Sequence, residues 1–211
     1  MSPGARSMTE AVSDTGPVLH LHEINQTSAL SLFQRLFMPD LVLEELMAYG
    51  IGPARLNAVG VTVAPVSVTV TDWAAILNAP HLPTLHPADA QVYVEARRHA
   101  YQLPVLTDDL ALRRRLEQSG ALVIGTVGLL VRAYTLKRLD RLELIGAIDA
   151  LFSQNFRSSG LNCWHTRIFQ LGPQVIVQEI GFDLIECLVQ LLGLHFEREP
   201  GVITAGQVIA L

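Results

Sequence analysis

The chain has 211 residues, 50% of them hydrophobic and 17% charged, with a mean hydropathy of +0.34; so much apolar material builds a sizeable core and excludes intrinsic disorder. A formal net charge of −5 excludes a protein that grips nucleic acid by overall positive charge, leaving a local basic patch or a bound cation for that task. The two cysteines, Cys163 and Cys187, lack metal-type spacing and sit in apolar stretches as reduced thiols, the N-terminal MSPGARSMTE has no apolar signal core, and the longest apolar runs, ALVIGTVGLLV and LIECLVQLLGLHF, are too short or interrupted to span a bilayer, so a cytoplasmic protein without a membrane segment is expected.

The first seven residues carry no pattern, and Met8 is as good a start as Met1. AVSDTGPVLHLHEI then reads as a short strand that exits at Asp14, a turn at Gly16 and Pro17, and a helix with Leu21 and Ile24 on one stripe, ending near Asn25. Thr27 reads as the N-cap of a second helix, SALSLFQRLF, in which Leu30, Phe33, Leu36 and Phe37 keep a helical spacing until Pro39. DLVLEELMAY is a third helix, closed at Gly50. VTVAPVSVTV, β-branched and alternating, reads as a strand or strand pair interrupted at Pro65. HPADAQVYVEARRHA reads as a helix packed through Ala90, Tyr93, Val94 and Ala100. LPVLTDD is a buried strand ending in two acids, LALRRRLEQSG a helix closed by Gly120, ALVIG another buried strand and TVGLLVRAYTLKRL another helix. Strands that are almost wholly apolar and alternate with helices predict an α/β protein, its mainly parallel sheet covered by helices on both faces. From about Phe156 the alternation stops; GFDLIECLVQLLGLHF reads as a helix in a C-terminal extension, 158–211, to which no function attaches.

In open parallel sheets functional groups gather outside the carboxyl ends of the strands. Asp14 leaves the first strand, Asp89 lies in the first turn of its helix, Asp108 and Asp109 leave PVLT, and of Glu44 and Glu45 at least one points inward. Two unit charges about 5 Å apart at an effective dielectric of about 20 repel by roughly 3 kcal/mol, so a cluster of such acids implies protonation or a bound cation. Ligands that are all oxygen favour Mg²⁺ or Mn²⁺ over zinc. A Mg²⁺ ion held by carboxylates orients a water and neutralises charge on a phosphate, which is phosphodiester hydrolysis. Each acid also has a plain role: Asp89 complements a helix dipole, Asp108 or Asp109 caps the following helix, and Glu44 or Glu45 is a solvated helix residue. Arg97, Arg98 and His99, the Arg113 to Arg115 run and RAYTLKRLDR read as solvated helix faces, although Arg113 and Arg114 follow the acid pair by one turn, within reach of an RNA backbone. His20, His22, His81 and His86 lack zinc spacing and take ordinary surface or core roles, and with no P-loop and no GxGxxG nucleotide cofactors have no support.

VSDTGPVLHL, MPDLVLEEL, LHPADAQVYVEA and VLTDDLALRRRLEQSGALVIGTVGLLVRA resemble, in order and spacing, the PIN-domain ribonucleases, most strongly a bacterial and archaeal branch related to toxin-type (VapC-like) proteins. The resemblance implies a PIN-like three-layer α/β/α fold of Rossmann-like topology, with a nuclease domain over 1–157. It implies four metal-binding catalytic acids, Asp14, Glu45, Asp89 and Asp109, with Asp108 as an adjacent helper and Thr15 and Thr107 as hydroxyls that orient an acid or a metal-bound water. Asp89 departs from the branch, in which a glutamate after glycine is usual; here PAD supplies a side chain one methylene shorter. The activity implied by the resemblance is that of a Mg²⁺- or Mn²⁺-dependent endoribonuclease acting on single-stranded RNA, the toxin of a toxin–antitoxin pair, as a homodimer whose acidic pocket a small antitoxin blocks. A catalytically weak PIN-like binding or assembly module is the alternative. A phosphatase with an aspartyl nucleophile would want a second acid two residues after the first, where Gly16 stands.

Overall fold

The structure is a computed structural model that describes residues 9–78 and 85–158. The described residues fall into two units, one ending at Ala133 and the other beginning at Tyr134. In the first, β1 (Glu10–Ser13) is central: β2 (Arg35–Pro39) and β3 (Thr62–Val66) extend the sheet on one side, β4 (Val105–Leu106) and β5 (Val123–Ile124) on the other, and every pairing is parallel. Helices α1 (Thr15–Glu23), α2 (Asp40–Ala48), α3 (Pro53–Ala58), α4 (Val70–Asn78), α5 (Pro87–Arg98), α6 (Leu110–Gln118) and α7 (Thr126–Thr135) connect and follow the strands. The result is the expected three-layer α/β/α class, with a sheet that is wholly parallel.

Strand order decides where a site can form. From β1 the chain runs outward through β2 and β3, then returns to β4 beside β1 and moves the other way. Successive connections therefore diverge between β1 and β4, and that switch point opens a crevice at the strands' carboxyl ends. Val12 pairs with Val105 and Ser13 with Leu106, so both strands leave the sheet level with each other, one into Asp14 and the other into Thr107, Asp108 and Asp109. Ala11, Val12, Val105 and Leu106 are all fully buried, as strands covered on both faces must be.

Three expectations from local pattern are corrected. SALSLFQRLF is not one helix: a 3₁₀ turn over Thr27–Leu32, without a side-chain cap at Gln26 or the expected one at Thr27, gives way to β2. Leu36 and Met38 are completely buried while Phe37 between them is not, a period of two, and β2 takes ladder partners on both sides. VTVAPVSVTV forms a single strand that runs through Pro65, followed by α4. Because β3 is the sheet edge, the N–H that Pro65 lacks leaves no inner ladder short of a donor. Thr69 and Asp72 then close a reciprocal capping box, Thr69 N–H donating to Asp72 Oδ2 at 2.8 Å and Asp72 N–H to Thr69 Oγ1 at 3.3 Å. Ala100, expected on the packed face of α5, lies past its end with φ +50, whereas Gly120 at φ +84 closes α6 as expected.

In the second unit, α8 (Arg141–Ser158) starts with another reciprocal box: Asp140 N–H donates to Glu143 Oε2 at 2.7 Å and Glu143 N–H to Asp140 Oδ1 at 2.8 Å. Among the described residues no helix is long and apolar enough to cross a membrane. His81, Cys163, Cys187 and the segment GFDLIECLVQLLGLHF lie outside the described residues.

Candidate active site

Asp14 ends β1 and caps α1 in extended conformation, only 6% exposed. Its Oδ1 accepts from the Thr15 N–H at 2.7 Å and its Oδ2 from the Thr107 hydroxyl at 2.8 Å. Burial drives its carboxyl up from 3.8 to about 6; the bonds from Thr107 and Thr15 pull it back, and the charges of Asp108 and Glu45 push further upward. Thr15 also reaches the other way, donating its hydroxyl to Glu45 Oε2 at 2.6 Å. Glu45 thus lies in the crevice and Glu44 is exposed, so α2 turns one of its two glutamates inward. His86 Nδ1 is 3.7 Å from the other oxygen of Glu45.

Asp109 caps α6, accepting from the Leu112 N–H at 2.8 Å, while its own N–H donates to Thr107 Oγ1 at 3.0 Å. One buried hydroxyl therefore serves two acids, as donor to Asp14 and acceptor from the backbone of Asp109. Asp89 stands in the first turn of α5 and accepts from the His86 backbone N–H. Its carboxyl is pushed up to about 7, first by burial and then by the charges of Asp14, Asp109 and Glu45, against the pull of that hydrogen bond. Four segments thus deliver acids whose fields overlap, and two of them are held near neutrality. Among the described residues, no three His, Cys, Asp or Glu form a group that could hold a metal ion. The donor set is nevertheless all oxygen, rich in negative charge and in mutual repulsion, and its chemistry suits Mg²⁺ or Mn²⁺.

Asp108 has a different task from its neighbour. Its Oδ1 accepts from the Thr126 N–H at 2.9 Å, and its Oδ2 accepts from the Thr126 hydroxyl and meets His20 Nδ1 at 2.9 Å. Burial pushes this carboxyl up, but the bond and charge of His20 and the two bonds from Thr126 outweigh it, so Asp108 is held below the usual carboxylate range. It latches β4 to α1 and to the first turn of α7. His20 and Thr126 are therefore the functional-region residues that sequence reasoning passed over. Thr126 had a local signal, a threonine opening a helix after an apolar strand; His20, 88 residues from its partner, had none.

Arg113, read as part of a solvated helix face within reach of an RNA backbone, turns inward: its guanidinium donates to the Thr107 carbonyl at 3.1 Å and to the Val123 carbonyl at 3.5 Å and lies 3.5 Å from Glu117 Oε1, and its side chain is 14% exposed. It braces the ends of β4 and β5, whereas Arg114 is exposed. Gly125 lies against this brace. A Cβ there would fall 2.7 Å from Asp108 Oδ1 and 2.9 Å from Arg113 Nη2, both pinned by hydrogen bonds. Gly125→Ala is expected to cost about 1–3 kcal/mol, the range for overpacking a tight site, read as a lowered urea midpoint at unchanged slope.

Fold and site together define an α/β protein with an acidic centre at the switch point of a parallel sheet. Over residues 10–163 the chain matches a family model described as a PIN domain, and it belongs to the PIN-domain family. PIN domains are generally nucleases that use divalent metal ions, so a nuclease-type hydrolase acting on nucleic acid is the class of activity. Comparison with curated proteins and with solved structures found no match.

Proposed function

We propose that the chain is a Mg²⁺- or Mn²⁺-dependent endoribonuclease that hydrolyses phosphodiester bonds of single-stranded RNA, with Asp14, Glu45, Asp89 and Asp109 holding the ion. The observation that carries this reading is that acids from four segments share one field: burial first, and then the charges of Asp14, Asp109 and Glu45, push the Asp89 carboxyl up to about 7. Acids arranged to repel one another are a ligand set for a cation. When bound, a divalent ion supplies Lewis-acid activation of water and neutralises charge that builds on the phosphate. The Thr15 and Thr107 hydroxyls each satisfy one carboxylate oxygen, of Glu45 and of Asp14, and so fix the direction of the remaining lone pairs. Arg114, exposed in the second turn of α6, is the residue for a backbone phosphate, since Arg113 spends its donors on carbonyls.

The finer form of this reading is the toxin of a toxin–antitoxin pair, a homodimer. Two carboxyls raised to about 6 and about 7, by burial first and then by the charge of neighbouring acids, would welcome a lysine or arginine from a small antitoxin as readily as an ion. A binding or assembly module is the second reading, and one observation favours it: Asp14 and Asp109 cap their helices and Asp89 bonds the start of its own, roles complete without metal.

Cleavage of a mixed-sequence RNA distinguishes the two. The nuclease is expected to cut in Mg²⁺ and to lose activity in EDTA. Equal inactivity of wild type and Asp14→Asn in every buffer would favour the module instead.

A further inference from the structure

Glu45, Asp14 and Asp109 belong to one hydrogen-bonded chain, running through the Thr15 hydroxyl and amide and through the Thr107 hydroxyl. Asp89 takes its bond from His86, the N-cap of its own helix. Its distance from the other three acids therefore depends on how α5 is seated. Gln91, two residues further along α5 and only 5% exposed, accepts at Oε1 from the Leu41 N–H at 3.0 Å. Leu41 lies in the first turn of α2, whose N-cap, Pro39, offers no side-chain acceptor. Gln91 thus satisfies a donor that would otherwise be an orphan of the helix that carries Glu45. Burying an amide without such a bond is unfavourable, so the contact holds α5 against α2. Two residues are about 200° round an α-helix, so Gln91 leaves α5 on a different side from Asp89 and is no ligand.

Resting on the metal reading above, we infer that Gln91 is a positioning residue: by tying α5 to the first turn of α2 it sets the spacing of Asp89 and Glu45, and with it the affinity of the acids for a divalent cation. The same bond sets the roll of α5, to which the shorter reach of an aspartate at position 89 is sensitive.

The test is Mn²⁺ titration of the full chain, followed by the electron paramagnetic resonance of the free ion, for wild type, Gln91→Met, Gln91→Asn and Gln91→Glu, with melting in EDTA alongside. Gln91→Met keeps the volume and removes the acceptor, and Gln91→Asn stays polar but falls one methylene short, so either serves if the other does not fold. In both the Mn²⁺ Kd is expected to rise about tenfold, the usual effect of losing an outer-shell partner. The KM for RNA at saturating metal should stay within about twofold of wild type, because the metal and not the substrate surface is affected. Gln91→Glu keeps an acceptor and should bind Mn²⁺ at least as well as wild type. An unchanged Kd in Gln91→Met and Gln91→Asn, or equal weakening in Gln91→Glu, overturns the inference while leaving the metal reading intact. Absence of Mn²⁺ uptake by wild type overturns both.

Discussion

Asp14→Asn is expected to abolish RNA cleavage and, in the same molecule, to make the metal-free protein more stable at pH 8. The loss in kcat should be at least about 100-fold, since an outer-shell partner alone is worth about 10–100-fold and Asp14 is proposed as a direct ligand. The gain in stability comes from burial. At pH 8 a carboxyl whose folded value is about 6 is ionised in both states, and having been moved up from 3.8 it costs the fold roughly 3 kcal/mol. Asparagine removes that charge but returns part of the gain. Asp14 now accepts from two donors, the Thr15 N–H and the Thr107 hydroxyl, whereas an amide presents one oxygen, and one lost bond costs about 1 kcal/mol. A net stabilisation of about 1–2 kcal/mol remains, measured as the difference in urea unfolding in EDTA at pH 8. At pH 4 it should vanish, because wild-type Asp14 is then largely protonated in the fold and half protonated when unfolded. A variant that is less stable at pH 8 and still cuts RNA would contradict both the electrostatic and the catalytic role of Asp14.

The second large effect is the slope of stability against pH, and its dependence on metal. Asp14 at about 6 and Asp89 at about 7 both lie above the ordinary 3.8. Between pH 4 and pH 8 the folded chain therefore holds protons that the unfolded chain has released, so raising the pH destabilises the fold. The stability these groups contribute is fully present below 3.8 and is lost as the pH rises through about 6 and then about 7. Asp108 and Asp72 are shifted the opposite way, and their contribution is complete above 3.8, so they do not alter this window. Asp14 alone supplies roughly 3 kcal/mol; Asp89 is partly exposed and adds less than its value suggests. At about 2–4 °C per kcal/mol, Tm in EDTA should fall by about 6–12 °C between pH 4 and pH 8. Millimolar Mg²⁺ binds the ionised acids and is expected to flatten or invert that slope. A Tm that rises with pH in EDTA, or that Mg²⁺ leaves unmoved at pH 8, would remove the basis for a cation site.

Much of this protein was legible along the chain. Apolar strands alternating with helices determined a parallel sheet covered on both sides, because β1 and β4 have no solvent-facing side on which a polar residue could alternate. Acids at strand exits marked the rim of that sheet, because carboxyl ends are where such connections converge. Elements whose pattern is shared by two periods were not legible. Leu30, Phe33, Leu36 and Phe37 fit a helix by spacing alone, and only the ladders from β1 and β3 made Arg35–Pro39 a strand. The boxes Thr69–Asp72 and Asp140–Glu143 were local signals for α4 and α8 that the β-branched run and the surrounding basic residues concealed.

The division of labour at the crevice was decided by tertiary structure. Asp108 and Asp109 are adjacent and chemically identical, yet one is latched to His20 and Thr126 while the other faces Asp14 through Thr107. Arg113 and Arg114 part in the same way, one to carbonyls and one to solvent. Glu45 meets Thr15 across 30 residues, Gln91 meets Leu41 across 50, and Thr107 meets Asp14 across 93. Local periodicity states which side of an element is buried. A hydrogen bond between distant segments depends on how those elements are docked, and this is why the acids and, through the family resemblance, the Thr15 and Thr107 hydroxyls were named from the sequence, while the Gln91 amide and the latch of Asp108 to His20 and Thr126 were not.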